Sequence, residues 1–61
     1  MLTTQDKQNL IQWAETISPQ HPKAMSYEAI VIVRQALLMK YSGSHTQEEI
    51  KIYILTKIKE D

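Results

Sequence analysis

The side chains that can serve as nucleophile or base in this chain are few. Ser18, Ser26, Ser42 and Ser44 supply hydroxyls, His21 and His45 supply imidazoles, and there is no cysteine. Nucleophilic catalysis needs a nucleophile, a base within hydrogen-bond reach and a third group that orients the base. Ser44 and His45 are adjacent in a turn, but sequence neighbours are not thereby aligned for proton transfer. The Gly-x-Ser-x-Gly elbow is absent, and the single glycine, Gly43, cannot build a phosphate-cradling loop. Metal ligation meets a similar obstacle. His21 and His45 are far apart, neither has a second histidine at helical spacing, and no thiolate is available. Glu48 and Glu49 follow His45, yet acid at the start of a helix is explained by the helix dipole. These residues predict a protein that is not an enzyme, with no catalytic residues, no cofactor and no metal.

Nucleic-acid binding is the main rival to a protein-interaction role. Gln47 is a residue type that reads adenine, and Lys51, Lys57 and Lys59 are phosphate-binding types. A glycine-containing turn before the third periodic segment permits a helix-turn-helix comparison. The electrostatics oppose it. Seven Lys and Arg balance seven Asp and Glu, so the formal net charge is zero, and Glu48 and Glu49 would lead the recognition helix. On a helix the three lysines point in different directions, whereas on a strand they would share one face with Tyr53. A DNA-binding regulator, helix-turn-helix-like or β-ribbon, therefore stands as the alternative, with Gln47, Lys51, Lys57 and Lys59 as its contact residues.

The elements that must position any of these groups follow from 61 residues, 43% of them hydrophobic, with one glycine and two prolines. That length makes one domain, 1–61, near the lower limit for a chain that folds on its own core. Without cysteine no disulfide framework is possible. The N-terminus lacks a basic stretch followed by an apolar one, so no signal peptide is visible, and the longest apolar run, interrupted by Arg34 and Gln35, is too short to span a bilayer. The expected location is cytoplasmic, with no membrane partner.

Three periodic segments predict an all-α domain of three helices. The first covers about 4–17: Thr3 or Thr4 caps it, Asp6 favours its positive end, and Leu10, Trp13, Ala14 and Ile17 share one face that Ile11 broadens. Pro19 and Pro22 end it. The second covers about 24–41, with Ser26 as a possible cap and Gly43 just past its end, where a left-handed terminator is wanted. The third covers about 47–59 and opens with the capping box Thr46-Gln47-Glu48-Glu49. It has a strand rival. Read with period two, Ile50, Ile52, Ile54 and Ile58 point one way, which gives an α+β alternative with 50–58 as a strand. The capping box and the unbroken length favour helix.

The second segment carries the functional signal. Ala29, Ile30, Ile32, Val33, Ala36, Leu37, Met39 and Tyr41 cover an apolar arc wide enough to touch both other helices, which makes this helix central. Tyr27, Val31 and Leu38 fall on a second strip beside Arg34. A three-helix domain of this size has little left to cover that strip, and Ile52 with Met1 or Leu2 is similarly stranded. Small chains commonly complete their stability by associating, and exposed apolar surface usually has a partner. The sequence therefore predicts a non-catalytic adaptor or regulator that acts through protein–protein contacts as a homodimer, with Tyr27, Val31, Arg34 and Leu38 as the interface.

Overall fold

The computed structural model of the chain describes residues 1–20 and 25–60. It contains three helices, α1 Thr4–Ala14, α2 Tyr27–Ser42 and α3 Gln47–Glu60, and no strand among the described residues. α2 packs against both other helices, as the width of its apolar arc predicts. α1 and α3 also meet, so the three close into a bundle around one core.

α1 starts at a reciprocal capping box. The Asp6 N–H donates to Thr3 Oγ1 at 3.0 Å, and the Thr3 N–H donates to Asp6 Oδ2 at 3.1 Å. This satisfies donors that a helix start leaves without partners. The helix ends at Ala14, three residues before the boundary read from the sequence. Ile17 instead adopts a left-handed conformation, φ 48°, and donates its N–H to the Trp13 carbonyl at 2.8 Å. A β-branched residue there is strained by roughly 1–2 kcal/mol. Compensation comes from burial, since Ile17 sits in the core with Leu10, Trp13 and Ala14. The predicted face is thus assembled, but its last member arrives by a turn rather than by helix. Ile11, expected to broaden that face, is exposed, and of the pair Met1 or Leu2, one of which is expected to be stranded, Met1 is exposed and Leu2 is in the core.

The end of α1 is tied down by the other two helices. Lys40 of α2 donates from Nζ to the Ile17 carbonyl at 2.8 Å. Gln47 of α3 donates from Nε2 to the Glu15 carbonyl at 3.0 Å. Lys51 reaches the Glu15 carboxylate at 3.3 Å, and the Trp13 indole N–H donates to the Ser18 carbonyl at 3.1 Å. Carbonyls that a helix terminus leaves unpaired therefore find side-chain donors from three directions.

α2 begins later than the expected boundary near residue 24. Residues 21–24, which include His21 and Lys23, lie outside the described residues, and Met25 and Ser26 precede the helix. Ser26 is the N-cap, accepting from the Ala29 N–H at 3.3 Å. Gly43 ends the helix at φ 71°, the left-handed geometry that glycine adopts without a Cβ penalty. The buried line of α2 is Ala29, Val33 and Ala36. Small residues there let the neighbouring backbones approach, while Ile32, Leu37 and Met39 pack along the margins of the core. Tyr41, read from sequence as part of the inward arc, stands exposed instead.

The segment 50–58 is helical, so the α+β alternative is excluded. The Thr46–Glu49 capping box forms in both directions, Glu49 N–H to Thr46 Oγ1 at 3.1 Å and Thr46 N–H to Glu49 Oε1 at 2.8 Å. A helix satisfies its backbone internally, whereas a strand here would need a neighbour that no described residues provide. Ile50 and Ile54 are fully buried, and Ile52, on the opposite side, is exposed. Leu55, which at helical spacing would join the stripe of Ile50, Ile54 and Ile58, is 40% exposed. It lies one residue beyond Ile54, which rotates it about 100° off the buried face.

Among the described residues one charged residue is buried. Asp6 is 2% exposed, and its carboxylate accepts from Thr3 as above and from the Ser26 N–H at 3.1 Å. It therefore joins the caps of α1 and α2, twenty residues apart. Bonds from the Ser26 hydroxyl and N–H, then from Thr3, lower its pKa from 3.8 to about 2 against an opposing desolvation. The folded value lies below the unfolded one. The stabilisation is therefore complete above about pH 4 and is lost as the pH falls toward 2.

Two outcomes follow from this packing. Ile54→Ala should cost about 3 kcal/mol in urea unfolding, close to the whole stability of a domain this small, while Ile52→Ala should cost less than about 0.5 kcal/mol. Equal losses would contradict the helical register. In thermal melts the wild-type midpoint should fall between pH 4 and pH 2. Asp6→Asn should start lower at pH 7 and show a flatter dependence across that interval, with Glu49, whose carboxyl is also held below its ordinary value by the Thr46 N–H, supplying what slope remains.

Candidate functional site

Arg34 is the centre of the most distinctive surface. α2 turns about 100° per residue, which places Tyr27, Val31, Arg34, Leu38 and Tyr41 within an arc of about 80°, opposite Ala29, Val33 and Ala36. All five are exposed, Tyr27 by 79%, Leu38 by 64% and Tyr41 by 65%. Their successive spacings are four, three, four and three residues. This is the alternation by which one helix presents a seam to another. At 1.5 Å per residue the seam runs for about 21 Å. The structure brings together Tyr27, Val31, Arg34 and Leu38, the four residues nominated from sequence, and adds Tyr41.

The amount of exposed surface is ordinary; its arrangement is not. The accessible surface is 4231 Å², close to the ~4,100 Å² expected of a monomer of this mass. Scattered exposed apolar side chains are normal on such a surface. Here they are aligned on one helix at heptad spacing, with a single cation among them and no acid at any seam position.

The residues nominated for nucleic acid do not converge. Gln47 and Lys51 are engaged with Glu15, and the Lys57 ammonium lies 5.6 Å from the centre of the Tyr53 ring. Lys59 is exposed farther round α3. The four directions spread over about 200° of the helix. The strand that would have aligned the lysines, and on which a β-ribbon depends, is replaced by α3.

The hydroxyl and imidazole groups give a sharper result than sequence alone. Ser44 Oγ lies 3.1 Å from His45 Nδ1, and Ser42 Oγ lies 2.8 Å from Ser44 Oγ. The adjacent pair does meet. It sits in an exposed turn, and among the described residues no hydrogen bond orients the imidazole from its other nitrogen, which is where the third member that positions a base would stand. Nearby, a pocket of about 60 Å³ is lined by Ile17, Lys40, His45, Gln47 and Ile50. Sites that enclose organic ligands begin at about 300 Å³. Among the described residues no three His, Asp or Glu side chains gather where a metal ion could be held. No helix among them is long and apolar enough to cross a membrane.

Sequence reasoning missed the structural use of several polar residues. The helix dipole alone accounts for Asp6 in the sequence, although Thr3-x-x-Asp6 has the capping-box form. Its second partner, Ser26, had no local signal, and neither did the carbonyl-binding roles of Lys40 and Gln47. The seam itself predicts a stability result: Leu38→Ser in urea unfolding at low micromolar concentration should shift the unfolding free energy by less than about 0.5 kcal/mol, whereas a larger loss would mean that Leu38 supports the core. No protein family, curated protein sequence or solved structure matches this chain.

Proposed function

We propose that the protein is a small non-catalytic adaptor or regulator that acts through protein–protein contacts and works as a homodimer, with the α2 seam as its partner-binding surface. The observation that carries this reading is the exposed heptad alignment of Tyr27, Val31, Arg34, Leu38 and Tyr41. An amphipathic helix from a partner lays its apolar face along such a seam and is read by anchors at matching spacing. Tyr27 and Tyr41 at the two ends supply large, fairly rigid contact area. Arg34 supplies selection, because a guanidinium enclosed by apolar neighbours favours a partner that places a carboxylate opposite it, where a bidentate pair can form. A chain of this length has a small core, and association adds buried surface to it. A cysteine-free domain suits a reducing compartment, and the cytoplasm is proposed as its location.

Two measurements test the two parts. Sedimentation equilibrium at high micromolar concentration should give about 14 kDa, twice the 7.1 kDa of one chain; 7.1 kDa throughout would remove the homodimer. A synthetic amphipathic helix with leucines at heptad spacing and one central glutamate should perturb the amide resonances of Tyr27, Val31, Arg34, Leu38 and Tyr41 in an NMR titration. Arg34→Glu should weaken it about tenfold or more, a change that corresponds to the ~1.4 kcal/mol of a charge-assisted pair. Shifts confined to other surfaces would reject the seam.

A further inference from the structure

We propose that the second copy of this chain docks on the outer face of α3, antiparallel to it across a two-fold axis. This rests on the homodimer reading above and separates the self-contact from the α2 seam.

Glu48, Ile52, Leu55 and Lys59 are all exposed and follow one another at spacings of four, three and four residues. They occupy an arc of about 60° on the side of α3 away from Ile50 and Ile54. Ile52 is 55% exposed and Leu55 40%. Read along the helix, the order is acid, apolar, apolar, base. Read backwards, the order is base, apolar, apolar, acid, which is its complement.

A two-fold interface brings the same patch of both subunits together, so that if one residue meets a second, the second meets the first. A single antiparallel register does this for all four positions. Glu48 faces Lys59 of the second copy while Ile52 faces Leu55, because both pairs are centred on the same point, between Tyr53 and Ile54. Two apolar contacts then lie in the middle and an ion pair closes each end. Parallel in-register pairing would instead set Glu48 against Glu48 and Lys59 against Lys59. The antiparallel arrangement also sets the positive end of each helix dipole beside the negative end of the other.

The α2 seam lacks this property. In parallel pairing its Arg34 would meet Arg34. In the antiparallel registers that align the seam, Arg34 would meet Val31 or Leu38 and remain uncompensated. The acid nearest to it in the helix, Glu28, points about 100° away from the seam axis and is paired with the Met1 ammonium. Self-complementarity is therefore a property of α3, and the uncompensated cation of α2 suits a different chain that brings its own acid.

The α3 stripe is only about 16 Å long. A contact of that extent belongs to the small, weak class of interfaces, and a dissociation constant in the tens of micromolar is expected. Its end pairs are exposed to solvent, so salt should weaken it.

Sedimentation equilibrium across micromolar to millimolar concentrations tests the assignment, with far-UV circular dichroism confirming that each variant is folded. Ile52→Glu should weaken association at least tenfold, since it places like charges beside the axis. Glu48→Lys and Lys59→Glu should each weaken it about threefold to tenfold, and the chain carrying both should recover wild-type association, because the swapped order is again self-complementary. Val31→Glu and Leu38→Glu should leave the dimer intact. A dimer broken by the α2 variants but untouched by those of α3 would overturn the α3 assignment while leaving the homodimer standing. Failure of the double swap to recover association would overturn the antiparallel register. A wild-type chain that stays monomeric to the highest concentration would remove the homodimer and this inference with it.

Discussion

A buried carboxylate holds the beginnings of two helices in one place. Asp6 accepts from the Thr3 N–H within its own cap and from the N–H of Ser26, the cap of α2. Taking a charge out of water is costly unless hydrogen bonds replace the lost hydration, and here they do. The bond from Ser26 sets where α2 starts relative to α1. The register of Ala29, Val33 and Ala36 against the core follows from that starting point. The outward direction of Tyr27, Val31, Arg34, Leu38 and Tyr41 follows from it too, because a rigid helix that turns one side inward must turn the other outward. The candidate interface thus depends on a contact at the cap of α2, one residue before Tyr27.

The opposite end of α1 shows the same economy of polar groups. Lys40 and Gln47, one from each remaining helix, donate to carbonyls that the end of α1 exposes, and Ile17 accepts a strained backbone so that its side chain reaches the core. With no cysteine to form a disulfide, the bundle relies on such cross-helix bonds to define its geometry. The residues that perform this service are thereby withdrawn from other work. Gln47 and Lys51, attractive as nucleic-acid contacts in isolation, are engaged with Glu15. The exposed surface also carries apolar side chains in ordered rows, together with Arg34, Glu48 and Lys59, which is material for meeting other helices.

The legible part of the fold rested on local chemistry. The caps at Ser26 and at Thr46 with Glu49, the left-handed stop at Gly43, and the pairing of Leu10 with Trp13 and Ala14 each involve residues within one or two turns of helix. Their energetics do not depend on what lies across the core. The nominated strip of Tyr27, Val31, Arg34 and Leu38 was legible for the same reason, since angular position on a helix is a property of spacing alone. Segment 50–58 was harder. Its isoleucines satisfy both a period of two and, in part, a period of 3.6, and only the surroundings can choose between them. α1 and α2 present a groove that two of those isoleucines fill, with no strand edge to bond a third element.

The sequence by itself determined that the chain is a small, disulfide-free helical domain with one helix apolar on too many sides. Composition, caps and periodicity suffice for that, because they act over a few residues and need no partner. Only the tertiary structure decided that Ile54 is inside and Ile52 outside, that Leu2 is in the core and Tyr41 out of it, and that α1 ends at Ala14 with Ile17 reaching inward from a turn. It also decided that Asp6 bonds to Ser26. These outcomes depend on which surfaces and which hydrogen-bond partners arrive from distant parts of the chain, and burial and polar satisfaction are settled only when those parts meet.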